Sequence, residues 1–194
     1  MTLNDAKSGL SLLSTRRSTS LKALGEPGPT PEQLDQILKI AVRVPDHGKL
    51  QPWRFILFEG EARARFGEKL AQRWLENHPE QPAESAEFWR KFFMRAPVVL
   101  ALISRAAPHP KIPEWEQQLS AGAVGMSILL AASALGMGAQ WNTDWPAYDA
   151  VIAGVMKLEP HERVAGLFYF GTPVLPLEDR PRPDPATLLS RWQE

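Results

Sequence analysis

The stretch that decides the fold reads LSAGAVGMSILLAASALGMGA and spans residues 119–139. It lies inside a longer segment, residues 117–143, that contains no Asp, Glu, Lys, Arg or His. Ala, Leu and Met favour a helix, and apolar residues on all sides indicate a helix that is buried all round. We therefore predict a central helix over residues 116–135, ended by Gly136. A second copy of this short chain would help to cover it, so we expect a homodimer that packs along this helix.

A membrane span is the alternative for this segment, because roughly 20 apolar residues suffice to cross a bilayer. Its many small residues make it only weakly hydrophobic, and no basic residue follows its C-terminal end. The chain instead continues through Gly136 and Gly138 into a predicted strand. We favour the buried helix and expect no contact with a membrane.

The segments on either side predict an α+β fold. The continuous apolar run 98–104 is typical of a strand that is covered on both faces. Thr30, followed by Pro31 and Gln33, is a strong helix start. Further strands are expected at 54–58, 138–143 and 164–170, and further helices at 61–76, 83–95 and 146–158. We predict one domain over residues 1–194, a sheet flanked by helices, with a proline-rich C-terminal arm from about residue 173.

Composition excludes several classes of function. Lys plus Arg and Asp plus Glu are both 22, so the chain lacks the positive excess that non-specific nucleic-acid binding needs. It has no cysteine, which excludes disulfides and thiolate chemistry, and its four histidines are not at metal-ligand spacing. The first residues lack the layout of a signal peptide, so we expect a cytoplasmic protein without a bound metal.

Three segments carry candidate binding residues. Arg16-Arg17-Ser18 offers two guanidinium groups and a hydroxyl, which suit a phosphate. Residues 43–53, RVPDHGKLQPW, form a proline-fixed loop with clustered polar groups. Trp141-Asn142-Thr143 ends a predicted strand. Each also has an ordinary explanation: a solvated basic turn, a surface loop and sheet packing. The sequence contains neither a phosphate-loop motif nor a nucleophile-elbow motif. If the protein is an enzyme, a bound cofactor with its own reactivity is therefore the best-supported source of its chemistry.

Together these segments resemble the nitroreductase family of FMN enzymes. The resemblance includes the Gln51-Pro52-Trp53 turn, the small-residue helix and Gly171-Thr172-Pro173, and it spans about residues 12–173. It implies a nitroreductase-like sandwich with a central, mainly antiparallel sheet. It also implies a homodimer formed through the long central helix, with FMN at the subunit interface.

The resemblance also assigns roles to residues. One subunit would hold the FMN phosphate and ribityl chain, and its partner would contact the same FMN through the loop. The expected cofactor residues are Arg16, Arg17, Ser18, Arg43, His47, Lys49, Gln51, Trp141, Asn142 and Thr143. The nicotinamide of NADH or NADPH would lie near Ala131, Ala132, Ser133, Ala134, Leu135 and Gly136. Arg180 and Arg182 of the arm could reach the partner or the phosphate.

One departure from the family concerns the turn before Gln51. Many relatives have a Ser/Asn-rich turn there, and this chain has His47-Gly48-Lys49-Leu50. The resemblance implies hydride transfer from NAD(P)H through FMN to nitroaromatics, quinones or similar electron-poor acceptors in a ping-pong cycle. Two alternatives stay open. One is another FMN-dependent reduction, such as removal of a substituent or flavin breakdown, and the other is a non-catalytic dimer that stores or senses flavin.

Overall fold

The computed structural model describes residues 2–193 and contains one five-stranded sheet. Its strands are β1 (Leu24–Gly25), β2 (Trp53–Glu59), β3 (Val98–Ser104), β4 (Gly138–Asn142) and β5 (Arg163–Pro173). The order is β1-β5-β3-β2, β4 also pairs with β5, and every pairing is antiparallel. The helices are α1 (Gly9–Thr15), α2 (Pro31–Ala41), α3 (Glu61–Asn77), α4 (Glu87–Arg90), α5 (Glu114–Ala134) and α6 (Ala150–Val155). This arrangement confirms the predicted α+β sandwich.

Strand β3 lies between β2 and β5, and all seven of its residues are buried. Alternate side chains enter two separate hydrophobic clusters: Val99 and Ala101 pack in one, Leu100 and Leu102 in the other. Helices α3 and α4 contribute to the first cluster, and α2 and α5 to the second. This confirms the prediction that the continuous apolar run is a strand covered on both faces.

Helix α5 confirms the predicted central helix to within two residues at its N-terminal end and one at its C-terminal end. Gly136, which follows the cap residue, has a φ of 74° and ends the helix as expected. Ten of its 21 residues are buried. Within residues 2–193, no helix combines the length and apolar character that crossing a membrane requires.

The start of α2 is also confirmed, because Thr30 and Gln33 form both hydrogen bonds of a capping box. The helix predicted over residues 83–95 is wrong as one element. It is divided into a 3-10 turn (Ala83–Ala86), α4 and a second 3-10 turn (Phe92–Arg95). The cause is tertiary: the Arg90 carbonyl lies so close to Gly67 of α3 that even a methyl group there would overlap with it.

The helix predicted over residues 146–158 is shorter than expected. A 3-10 turn spans Trp145–Ala147, and α6 begins separately because the Asp149 carboxylate accepts hydrogen bonds from the amides of Val151 and Ile152. This local cap starts a new helix where the apolar pattern alone predicted a continuous one.

A buried carboxylate, that of Glu162, is contacted by three segments at one end of the sheet: strand β2, the chain that follows β3 and the turn before β5. Glu162 is only 3% exposed and accepts two hydrogen bonds of 2.7 Å from the Arg54 guanidinium. Arg105 lies 3.4 Å away, and the Glu159 amide donates a third hydrogen bond. The bonds from Arg54, opposed by burial, lower the pKa of Glu162 from 4.5 to about 2. The carboxylate therefore stays ionised and stabilises the fold.

The C-terminal arm, residues 174–193, follows β5 and is exposed except for the half-buried Leu177. Its one regular element is a 3-10 turn, Pro185–Thr187. Leu188 and Leu189 are exposed, so they do not anchor the arm to the core. The arm folds back towards the end of α1.

Candidate functional site

The segment Arg16–Ser18 directly follows α1 and is fixed by its backbone. The Asn4 side chain accepts a hydrogen bond of 2.7 Å from the Arg17 amide and donates one of 3.2 Å to the Arg17 carbonyl. The Thr19 amide donates to the carbonyl of Ala139 in β4 over 3.0 Å. These bonds hold the two arginines and Ser18 beside the start of β4, where α5 has just ended.

The arm places two further arginines at this segment. Arg17 Nε donates to the Glu178 carbonyl over 2.7 Å, and Arg182 lies 3.4 Å from the Arg16 carbonyl oxygen. Asp179 lies 3.6 Å from Arg17 and 3.2 Å from Arg182. We call Arg16, Arg17, Arg180 and Arg182 the arginine cluster.

Arg16 is partly buried among the like charges of the arginine cluster. Burial lowers its pKa, and repulsion from Arg182, Arg17 and Arg180 lowers it further. Its guanidinium lies 3.5 Å from the Ser18 hydroxyl, and among residues 2–193 it forms no salt bridge with a carboxylate. Among residues 2–193, Asp179 is the one carboxylate that pairs with the cluster, and it contacts only Arg17 and Arg182. The cluster is therefore a site that an anion such as a phosphate would stabilise.

The loop 43–52 is attached to the N-terminal half of α5. The Ser120 hydroxyl donates to the Pro45 carbonyl over 2.6 Å, and His47 Nδ1 lies 2.7 Å from Glu116 Oε2. The Asp46 carboxylate accepts hydrogen bonds from the backbone amides of Leu50 and Gln51. These contacts hold the loop while leaving its predicted ligand side chains exposed, namely Arg43, His47, Lys49 and Gln51.

The backbone of this loop adopts unusual conformations. Gly48, Lys49 and Gln51 have φ values of 73°, 56° and 50°. At Gly48 a Cβ would also overlap with the side chain of Ile112. Left-handed non-glycine residues cost energy and persist where the surroundings fix them, which is common at binding sites.

The third predicted segment lies at the end of β4. The Trp141 ring packs against Phe168 at 5.1 Å between centroids, and its Nε1 donates to the Ala165 carbonyl over 3.1 Å. Gly125 and Gly166 make room for this ring, because a Cβ at either would overlap with it. Trp141 thus joins the sheet to α5, Asn142 is half-buried and Thr143 is exposed.

The predicted nicotinamide segment is divided by burial. Ala131, Ala132 and Ser133 are buried against the protein, whereas Ala134, Leu135 and Gly136 retain exposed surface. A ligand that reaches this segment would therefore contact residues 134–136. These residues lie just before β4, whose second residue binds the Thr19 amide.

The candidate residues fall into two groups that lie at opposite ends of α5 in this chain. The arginine cluster lies beside the chain that leaves the C-terminal end of α5. The loop 43–52 is attached at Glu116 and Ser120, near the N-terminal end. At a rise of 1.5 Å per residue, Ser120 and Glu116 lie about 21 and 27 Å along the helix from its last residue, Ala134.

Several contacts of the site could not be read from the sequence. Glu116 was not predicted as part of it, and 69 positions separate it from His47. Asp179 was not predicted either. Arg180 and Arg182 were named as candidates, and their local signal in the sequence is the Arg-Pro-Arg-Pro run 180–183.

Comparison with known proteins agrees with this architecture. The family model described as "Nitroreductase family" matches residues 13–172. The chain belongs to the nitroreductase family. The match includes the segments 16–18, 43–52 and 141–143, whereas the whole C-terminal arm lies beyond it.

Individual relatives are similar over almost the whole length. The chain is 36% identical over 166 residues to the Escherichia coli (strain K12) protein named "Putative NAD(P)H nitroreductase YdjA", covering 86% of the chain and 88% of the relative. A nitroreductase-like protein from Bacillus cereus superposes with a TM-score of 0.84 at 19% identity, covering 97% of both chains. A Desulfovibrio desulfuricans protein described as a "putative nitroreductase in complex with fmn" gives 0.72 at 21% identity, covering 94% of this chain and 95% of the other.

Proposed function

We propose that the chain is an FMN-dependent oxidoreductase that works as a homodimer. It would take hydride from NADH or NADPH and pass it to nitroaromatics, quinones or similar electron-poor acceptors. The observation that carries this proposal is the arginine cluster, in which the partly buried Arg16 is surrounded by like charge and suits the phosphate of FMN. The FMN bound by the Desulfovibrio protein and the name of the Escherichia coli relative support the same assignment.

The exposed side of α5 supports the dimer. Trp115, Leu119 and Met126 are 66%, 54% and 40% exposed, and the half-exposed Gly122 continues the same helical stripe. We call these four residues the α5 stripe. A monomer rarely leaves such large apolar groups together in water, and a second copy would cover them.

A two-fold dimer would also complete the site. If two α5 helices pack in opposite directions, the N-terminal end of one lies beside the C-terminal end of its partner. The loop 43–52 of one protomer then faces the arginine cluster of the other. This arrangement unites the two groups that lie at opposite ends of α5 in one protomer.

Bound FMN would supply the redox chemistry, accepting hydride from NAD(P)H and delivering it to the acceptor in a ping-pong cycle. The chain itself binds, orients and excludes water. The arginine cluster and Ser18 would hold the phosphate, and Asn142 and Thr143 would border the cofactor. From the partner, Arg43 and Lys49 would place positive charge at the flavin, and His47 would face it with the edge of its imidazole ring. Residues 134–136 would border the nicotinamide.

The absorbance spectrum of the purified protein tests the proposal. We expect a flavin spectrum with about one FMN per chain after reconstitution, and steady NAD(P)H consumption once a nitroaromatic or quinone is added. Flavin binding without turnover would instead support storage or sensing. Turnover with only other classes of acceptor would support a different reduction. A protein that binds no FMN would reject the proposal.

A further inference from the structure

The His47–Glu116 contact joins the binding loop to the central helix. Nδ1 of His47 lies 2.7 Å from Oε2 of Glu116, and the two residues are 69 positions apart. The carboxylate nearest in sequence, Asp46, is already used by the amides of Leu50 and Gln51. The partner of His47 is therefore supplied by α5 and not by its own loop.

The contact fixes the orientation of an otherwise exposed ring. The His47 side chain is 64% exposed, so few packing contacts restrain it. A hydrogen bond from Nδ1–H to Glu116 selects one ring orientation and one neutral tautomer, in which Nε2 points away from the carboxylate. Ser120, one turn further along α5, fixes the same loop at the Pro45 carbonyl. The backbone and the ring are thus positioned by the same helix.

We propose that Glu116 is a positioning residue for the cofactor site: it holds His47 so that the Nε2 edge faces the FMN bound by the partner subunit. This role rests on the proposed function. Helix α5 also carries the α5 stripe. The same helix would therefore form the dimer interface and orient the histidine that contacts FMN across that interface. Pre-ordering one side chain in this way is expected to strengthen FMN binding by about threefold to tenfold.

The first test reads the histidine ring directly and needs no FMN. Nitrogen-15 NMR in alkaline buffer distinguishes the two neutral tautomers, and the signal missing in His47→Ala assigns the ring. We expect the Nδ1–H tautomer to dominate in the wild type and to lose its dominance in Glu116→Ala. Glu114→Ala is the matched control, because it removes the same charge from the same first turn of α5. An identical tautomer mixture in the wild type and in Glu116→Ala would overturn the proposal.

The second test measures FMN affinity by fluorescence titration of the dimer. Glu116→Ala should bind FMN about threefold to tenfold more weakly, and Glu114→Ala should bind it like the wild type. In a His47→Ala background, Glu116→Ala should cause no further loss, since it acts through the ring. An equal loss in that background would show a merely structural role and contradict the proposal. If the wild type bound no FMN, the proposed function and this role towards flavin would both fail, and the NMR result would still report whether the pair orients the ring.

Discussion

Replacing Arg16 with alanine should weaken FMN binding without lowering the stability of the protein. In the free protein Arg16 forms no salt bridge with a carboxylate of residues 2–193. Burial lowers the pKa of Arg16, and repulsion from three neighbouring guanidinium groups lowers it further. With FMN bound it would donate charge-assisted hydrogen bonds to the phosphate, each worth about 1.5–3 kcal/mol. Loss of one such bond weakens binding by roughly tenfold to a hundredfold.

The free protein should not suffer from the same change. Arg16→Ala relieves like-charge repulsion that Asp179, paired with Arg17 and Arg182, offsets only in part. The thermal midpoint of the free protein should therefore stay constant or rise by about 1–3 °C. A residue that serves the fold would show the reverse, a lower midpoint. The combination of weaker FMN binding with unchanged or higher stability marks a residue that is retained for its ligand.

Fluorescence titration with FMN and differential scanning calorimetry of the FMN-free protein measure the two effects. Arg65→Ala is the matched control, since it removes the same charge from an exposed position on α3. It should leave FMN affinity unchanged. Wild-type affinity in Arg16→Ala, or a loss of stability without a loss of affinity, would refute the phosphate assignment.

Three further changes test the fold and the assembly. Glu162→Gln should lower the free energy of unfolding by about 3 kcal/mol at neutral pH. Urea titrations should show this difference shrinking as the pH falls below 4.5 and vanishing below about 2, where the wild-type carboxylate is protonated in both the folded and the unfolded state. Gly67→Ala should lower the free energy of unfolding by about 1–3 kcal/mol, because its methyl group would overlap with a backbone carbonyl of α4. Gly154→Ala is the control and should cause no loss of stability, because its methyl group would point into open space. Met126→Glu in the α5 stripe should give a monomer by light scattering, and Val151→Glu on α6 should leave the dimer intact; a dimeric Met126→Glu would contradict the proposed interface.

The elements with a local cause were predictable from the sequence. Helix α5 has no charge beyond its first turn, α2 begins with a complete capping box, and β3 is a continuous apolar run. Each pattern is contained within one segment and has one physical explanation. The combination of segments that resembles the nitroreductase family was equally readable, and the family model confirms it.

The remaining features depend on contacts between distant residues. The break at Arg90 follows from the close approach of α3, which no pattern within residues 83–95 reveals. Arg17 contacts the Glu178 carbonyl across 161 positions, and Glu116 reaches His47 across 69. Such pairs follow from the tertiary fold, so the sequence predicted the ligand types and not the groups that orient them.

A subunit-mixing experiment tests most directly whether each FMN site is shared between two protomers. Arg16→Ala and His47→Ala proteins, each weak in FMN binding, are mixed in equal amounts and allowed to exchange subunits. If the arginine cluster of one protomer works with the loop of its partner, each mixed dimer has one intact site, so about a quarter of all sites should bind FMN with wild-type affinity under random pairing. If no site regains wild-type affinity although mixed dimers form, both groups serve the same protomer's site and the shared-site account is contradicted.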